Sequence, residues 1–250
     1  MTPPGWQRPL FWALLPLTAV QGLWLRRKAL RLPGAAGDRR GVTGKGPDYH
    51  LLAIGDSIID GVGTESTTAS LPGQFARALA ERNGLRVHWR IEGTTGHAVR
   101  DVVGRLETLR GLPVVDLLLV SVGVNDVTGL SSTRHWRRGL ARLLEVAERR
   151  WPDARVVLAG LPPMALFPLP PQPLRFSLGL RSTILDRVAA EVARGHPRAR
   201  HVPTRIDPLR HDFCPDGFHP SPESCRLWAE ELCADLSRDW NDQTGARPHE

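Results

Sequence analysis

The sequence predicts a three-layer α/β domain, a doubly wound parallel sheet of five strands with helices on both faces. Short apolar runs alternate with helical patterns between residues 49 and 238, the rhythm of parallel strands joined by right-handed crossovers. A chain of 250 residues accommodates one large domain, and two would be cramped. Its 41% hydrophobic content is ordinary for a folded protein.

The first element is the apolar run Leu10–Leu25, broken only by Pro16, Thr18, Gln21 and Gly22. As a helix rising about 1.5 Å per residue it spans about 24 Å, short of a hydrocarbon core of about 30 Å. Arg26, Arg27, Lys28 and Arg31 follow it, where a cleaved leader would carry small residues, so a signal peptide is disfavoured. Trp6, Trp12 and Trp24 stand where interfacial aromatics would. Residues 8–31 are therefore expected to contact a membrane, as a short span or an interfacial helix. The positive-inside rule then keeps the following domain on the cytoplasmic face. The alternatives are a soluble cytoplasmic protein whose apolar helix packs on the domain, and an exported, anchored one.

Gly34 to Pro47 is glycine-rich and charged and reads as a linker. The expected division is residues 1–46 for segment and linker, 47–240 for the catalytic domain and 241–250 for a polar tail. Strands are expected at 49–54, 85–91, 114–122, 154–160 and 198–202, and helices at 72–83, 97–110, 132–150, 177–194 and 222–238. Leu161 to Pro173 is too proline-rich for a helix or an interior strand, so it reads as a long apolar loop. A strand order of 2-1-3-4-5 would set the first and third strands side by side, at the point where such sheets bind ligands.

Net charge is +7, but residues 1–50 hold eight Lys/Arg against Asp38 and Asp48. The remainder carries 25 basic and 24 acidic groups, so nucleic-acid binding by the domain is not supported. Cys214, Cys225 and Cys233 form no metal-ligand spacing, so neither a metal site nor a cofactor is expected. Cys225 and Cys233 suit the buried face of the last helix.

The chemistry lies at strand ends. Leu51-Leu52-Ala53-Ile54 runs into Gly55-Asp56-Ser57, and Val114–Val122 runs into Gly123-Val124-Asn125-Asp126. Asp216-Gly217-Phe218-His219 precedes Ser221 and Pro222, an N-cap and a first helical position. A serine hydroxyl needs an adjacent, oriented base to become a nucleophile. Ser57, His219 and Asp216 can fill those three roles. Donors for the developing oxyanion are available from the Ser57 and Gly96 backbone N–H groups and the Asn125 amide. His97 is a rival base without an acid beside it. Each block alone is weak, since Asp-x-x-His and Asn-Asp are common in turns.

Together and in this order, Gly55-Asp56-Ser57-Ile58, Thr95-Gly96-His97, Gly123-Val124-Asn125-Asp126 and Asp216-Gly217-Phe218-His219 resemble the SGNH hydrolases, or GDSL esterases and lipases. Ile58 departs from the commoner leucine. The resemblance implies a flavodoxin-like sheet, Ser57 as nucleophile, His219 as base, Asp216 as its orienter and an oxyanion hole from Ser57, Gly96 and Asn125. No Gly-x-Ser-x-Gly surrounds Ser57, which argues against an α/β-hydrolase elbow. The expected activity is hydrolysis of short-to-medium acyl esters, lysophospholipids among them, without metal. Met164, Phe167 and Leu169 of the proline loop are the expected pocket residues. The alternatives are a carbohydrate or peptidoglycan O-deacetylase, and a retired, membrane-tethered binding protein.

Overall fold

The computed structural model describes residues 17, 18, 20–25, 27, 30–205 and 213–244, the stretch 237–244 as backbone only. Among the described residues six strands form one sheet: β1 (Arg40–Gly44), β2 (Asp48–Gly55), β3 (Arg86–Gly93), β4 (Leu117–Ser121), β5 (Arg155–Ala159) and β6 (Ala199–Val202). The helices are α1 (Ser57–Asp60), α2 (Leu71–Asn83), α3 (Val99–Thr108), α4 (Val124–Thr128), α5 (Thr133–Arg150), α6 (Leu174–Arg194) and α7 (Pro222–Thr244), with a 3-10 turn at Met164–Leu166.

Sheet order is β1-β3-β2-β4-β5-β6, with β2 to β6 parallel and β1 antiparallel to β3. The parallel part has the expected order, and β2 lies between β3 and β4. β2, β4 and β5 are buried on both faces and read as continuous apolar runs, whereas β3 beside the edge alternates. Leu52, Ile54, Leu118 and Val120 join α3, α5 and α6 in one core. Leu51, Ala53, Leu117 and Leu119 join α2 and α7 in the other. The buried Trp136 indole donates to the Leu185 carbonyl at 2.8 Å, fixing α5 against α6 without an orphaned N–H. Cys225 and Cys233 lie in the second core, as expected.

Two expectations need correction. The sheet has six strands rather than five, because β1 occupies the stretch read as linker. Arg40-Gly41-Val42-Thr43-Gly44 is polar and glycine-rich, and it hides as a strand because it is an edge strand with little to bury. Gly41 lies under the Trp89 ring, where an added Cβ would come within 2.5 Å. Further ties precede β1: Gly63 N–H donates to the Pro33 carbonyl at 3.2 Å and Ala35 N–H to the Asp60 carbonyl at 3.1 Å. The folded unit therefore begins well before residue 47. At the other end α7 continues to Thr244, into the stretch read as a tail, and residues 245–250 lie outside the described residues.

The expected helix at 177–194 begins at Leu174, three residues early. Its first free N–H groups find side-chain acceptors: Leu174 N–H donates to Gln21 Oε1 at 3.1 Å and Phe176 N–H to Gln172 Oε1 at 3.2 Å. Gln21 belongs to the amino-terminal apolar segment, whose described residues from 17 to 27 are helical. Among the described residues no helix is long and apolar enough to cross a membrane. Leu10 to Pro16, Trp6 and Trp12 lie outside the described residues.

Candidate active site

β2 ends at Gly55, where the chain passes so close to β4 that a Cβ would run into the Ser121 carbonyl. Asp56 caps α1 by accepting the Ile58 N–H at 3.1 Å, and its own N–H donates to the Ser121 carbonyl at 3.1 Å. Ser57 is thus the first residue of α1, buried, and held at the carboxyl edge of the sheet.

The Asp216–His219 loop is closed on itself. Asp216 Oδ1 accepts the Phe218 N–H at 2.9 Å and the His219 N–H at 3.0 Å. Cys214 N–H donates to the His219 carbonyl at 2.8 Å, and Gly217 takes the left-handed φ of 63° that the turn requires. Ser221 caps α7 through the Ser224 N–H at 3.1 Å, as its sequence position implied. The other carboxylate oxygen, Asp216 Oδ2, lies 2.6 Å from His219 Nδ1. His219 Nε2 then lies 3.1 Å from Ser57 Oγ. With Nδ1–H donating to the carboxylate, Nε2 presents its lone pair to the serine hydroxyl.

Electrostatics follow the burial. Burial works to raise the Asp216 carboxyl, but the hydrogen bonds from the His219 ring and the two backbone N–H groups outweigh it, so its pKa lies below the ordinary 3.8. Burial pushes the Asp56 carboxyl up to about 7, outweighing the Ile58 N–H, the attraction of His219 and its own backbone N–H. Burial likewise raises Asp126.

The adjacent strand ends supply hydrogen-bond donors. Asn125 follows β4 in α4, and its Nδ2 donates one hydrogen to the His97 carbonyl at 3.0 Å, leaving the second. Gly96 follows β3 with φ of 90°, and an added Cβ there meets nothing within 4 Å, so the turn leaves open space beside the backbone. Thr94 N–H donates to the Gly55 carbonyl at 3.1 Å, which binds this turn to the end of β2. Asp126 connects the two donor elements: Oδ2 accepts the Val99 N–H at the start of α3 at 2.9 Å, and Oδ1 accepts the Ser131 hydroxyl at 2.9 Å. A carboxylate that links α4 to α3 from inside the protein was not foreseen, because Asn-Asp is an ordinary turn dipeptide. His97 contributes its carbonyl to this frame.

Two cavities meet at His219 and Phe218. One, of about 380 Å³, is lined by Ser57, Val124, Phe167, Phe213 and Trp228 among others. The other, of about 620 Å³, is lined by Asn125, Leu25, Leu169, Leu174 and Leu178 among others. Phe167 and Leu169 thus border different cavities. Met164 is corrected: its side chain is fully buried in the core and lines neither. Helix geometry turns it inward, which a loop reading could not anticipate. Phe167 packs edge-on to Phe213 and Phe218 at ring separations of 5.0 and 5.2 Å. Not anticipated was that the amino-terminal segment lines the larger cavity, through Gly22, Leu23 and Leu25 among others.

Residues 53–227 match the family model described as GDSL-like lipase/acylhydrolase. A GDSL-like esterase of Mycobacterium tuberculosis is 29% identical over 199 residues, which cover 74% of this chain and 60% of that protein. The chain thus spans about 60% of the length of that curated relative. The lipase Lip_vut3 from a goat rumen metagenome superposes with a TM-score of 0.64 at 17% identity, over 74% of this chain and 96% of the other. Est24, a carbohydrate acetylesterase from Sinorhizobium meliloti, gives 0.58 at 17% identity, over 76% of this chain and 99% of its own. At these identities the structures show a shared fold.

Proposed function

The chain belongs to the GDSL-like lipase/acylhydrolase family, and from that membership we propose a serine esterase acting on carboxylic esters of short-to-medium acyl chain through an acyl-serine intermediate. The observation that carries the proposal is the unbroken relay from Ser57 Oγ to His219 Nε2 at 3.1 Å and from His219 Nδ1 to Asp216 at 2.6 Å. His219 takes the hydroxyl proton as Ser57 Oγ attacks the ester carbonyl carbon, and the carbonyl oxygen gathers the charge. The Ser57 and Gly96 N–H groups and the Asn125 amide are assigned to that oxygen, each such donor being worth about 10²–10³ in rate. His219 then gives its proton to the departing alcohol. A water, deprotonated by His219, attacks the acyl carbon and restores Ser57. Asp216, held by two backbone N–H groups, keeps the imidazole in the working tautomer and offsets its charge.

The larger cavity beside His219, walled mainly by Leu25, Leu169, Leu174 and Leu178, favours an apolar acid over a sugar. Ser57→Ala is expected to abolish turnover of 4-nitrophenyl butyrate. A panel adding acetylated sugars and lysophospholipids ranks the substrates. Retained turnover in Ser57→Ala would overturn the proposal, and a preference for acetylated sugars would replace the acyl-ester reading with deacetylation.

A peripheral membrane contact is part of the same proposal. Leu17, Val20, Leu23 and Trp24 are exposed on the amino-terminal helix, and the basic residues Arg26, Arg27, Lys28 and Arg31 follow in the sequence. Apolar side chains beside cations suit the surface of anionic lipid. Co-sedimentation with phosphatidylglycerol vesicles but not with phosphatidylcholine vesicles is expected, and equal recovery from both would remove the claim.

A further inference from the structure

We infer that the amino-terminal helix is part of the substrate site, its inner face walling the subsite for the acyl chain and Gly22 leaving the room that the chain fills. This rests on the esterase reading and names its substrate class, esters of medium-length apolar acids.

On a helix, residues at i, i+3, i+4 and i+7 share a face. Thr18, Gln21, Gly22 and Leu25 have that spacing. Thr18 is buried, and Leu25 packs against the core. Gln21 clamps the helix to the start of α6 from both ends of its amide: Nε2 donates to the Gln172 carbonyl at 2.9 Å and Oε1 accepts the Leu174 N–H at 3.1 Å. The clamp fixes the rotation of the helix, so Gly22 faces the domain while Leu17, Val20 and Trp24 face outward. Gly22 lines the larger cavity, and an added Cβ there meets nothing within 4 Å. The space is a notch beside Thr18, Leu23 and Leu25 of the same helix.

Across the notch α6 presents Leu174 and Leu178, one turn apart, and Leu169 closes the side. A cavity of about 620 Å³ lies within the range of small-molecule sites, about 300–1,000 Å³. Thr128, Ser177 and Arg181 also line the cavity, but the stretch between Leu25, Leu169, Leu174 and Leu178 offers no partner to a sugar hydroxyl, and an unpaired buried hydroxyl is costly. Asn125 borders this cavity and Ser57 the smaller one, with His219 bordering both. In the inferred arrangement the acid's carbon chain lies in the leucine-rich cavity between α6 and the amino-terminal helix, and the alcohol leaves on the side of Trp228.

The test compares full-length wild type, Gly22→Phe and Leu178→Trp on 4-nitrophenyl acetate and octanoate, and on octyl acetate. Each substitution fills the cavity from an opposite wall, so both need not fail to fold together. The octanoate-to-acetate ratio of kcat/KM is expected to fall about tenfold or more in both, through KM, since a single methylene in an apolar pocket is worth about tenfold or more. An unchanged ratio overturns the inference, as does a loss confined to octyl acetate or an equal loss on all three esters. Calorimetric binding of octanoate to Ser57→Ala separates the two claims: weakening of that binding by Gly22→Phe supports the cavity even where the nucleophile has been misassigned, and undiminished binding overturns it.

Discussion

Asp216→Asn separates the role of the carboxylate from the role of its loop. The aspartate makes three contacts: Oδ1 with the N–H groups of Phe218 and His219 at 2.9 and 3.0 Å, and Oδ2 with His219 Nδ1 at 2.6 Å. Asparagine keeps an acceptor oxygen for the two backbone donors. Its amide nitrogen then faces Nδ1, so Nδ1 must accept and the proton moves to Nε2, the atom facing Ser57. The imidazole can no longer receive the serine proton. The loss in kcat is expected to be about 10³–10⁴, or about 4–5.5 kcal/mol of transition-state stabilisation. Stability should fall by only about 1 kcal/mol, a melting shift of about 2–4 °C. Turnover of 4-nitrophenyl butyrate and thermal unfolding measure the two quantities on one preparation. Asp216→Ala, which also strips the backbone donors of their acceptor, should melt lower still. Activity within tenfold of wild type in a normally folded Asp216→Asn would refute the orientation argument.

Asn125→Ala should lower kcat by about 10²–10³ with little change in KM, because its amide acts on charge that exists only in the transition state; a change in KM alone would contradict that role. Asp56 supplies a pH signature: its folded pKa of about 7 lies above the ordinary 3.8, so the folded state keeps the proton longer than the unfolded chain does. Its contribution is therefore full below about pH 4, falls as pH rises toward 7 and is constant above. Asp56→Asn, which retains the acceptor for Ile58, should remove that decline from the urea midpoint, and a parallel decline in both proteins would exclude Asp56 as its source. A chain beginning at Gly46 lacks β1 and the ties at Pro33 and Ala35, and should melt about 5–10 °C below one beginning at Leu32; equal melting temperatures would make β1 dispensable.

What could be read from the sequence followed from burial. β2 and β4 are covered on both faces, so Leu51–Ile54 and Leu117–Val120 are unbroken apolar runs, and each ends in the residues that meet at the site. Parallel topology then brings Ser57, Gly96 and Asn125 to three neighbouring strand ends without any local signal linking them. β1 was missed because an edge strand of arginine, glycine and threonine has no buried face to announce it. Met164 was misassigned because the side chain's direction depends on a 3-10 turn inside a proline-rich loop. The wall at Gly22 could not be seen at all: a glycine in an apolar run acquires meaning only when Gln21 bonds to residues more than 150 positions away.

Labelling with a fluorophosphonate tests the central claim most directly, since the reagent phosphonylates a serine only where a base has activated it. The full-length protein should take up one phosphonyl group, mapped to Ser57 by peptide mass spectrometry, and lose esterase activity in proportion. His219→Ala should leave the serine unlabelled. A label at another residue, or full hydrolysis by protein phosphonylated at Ser57, would contradict the assignment of Ser57 as the nucleophile.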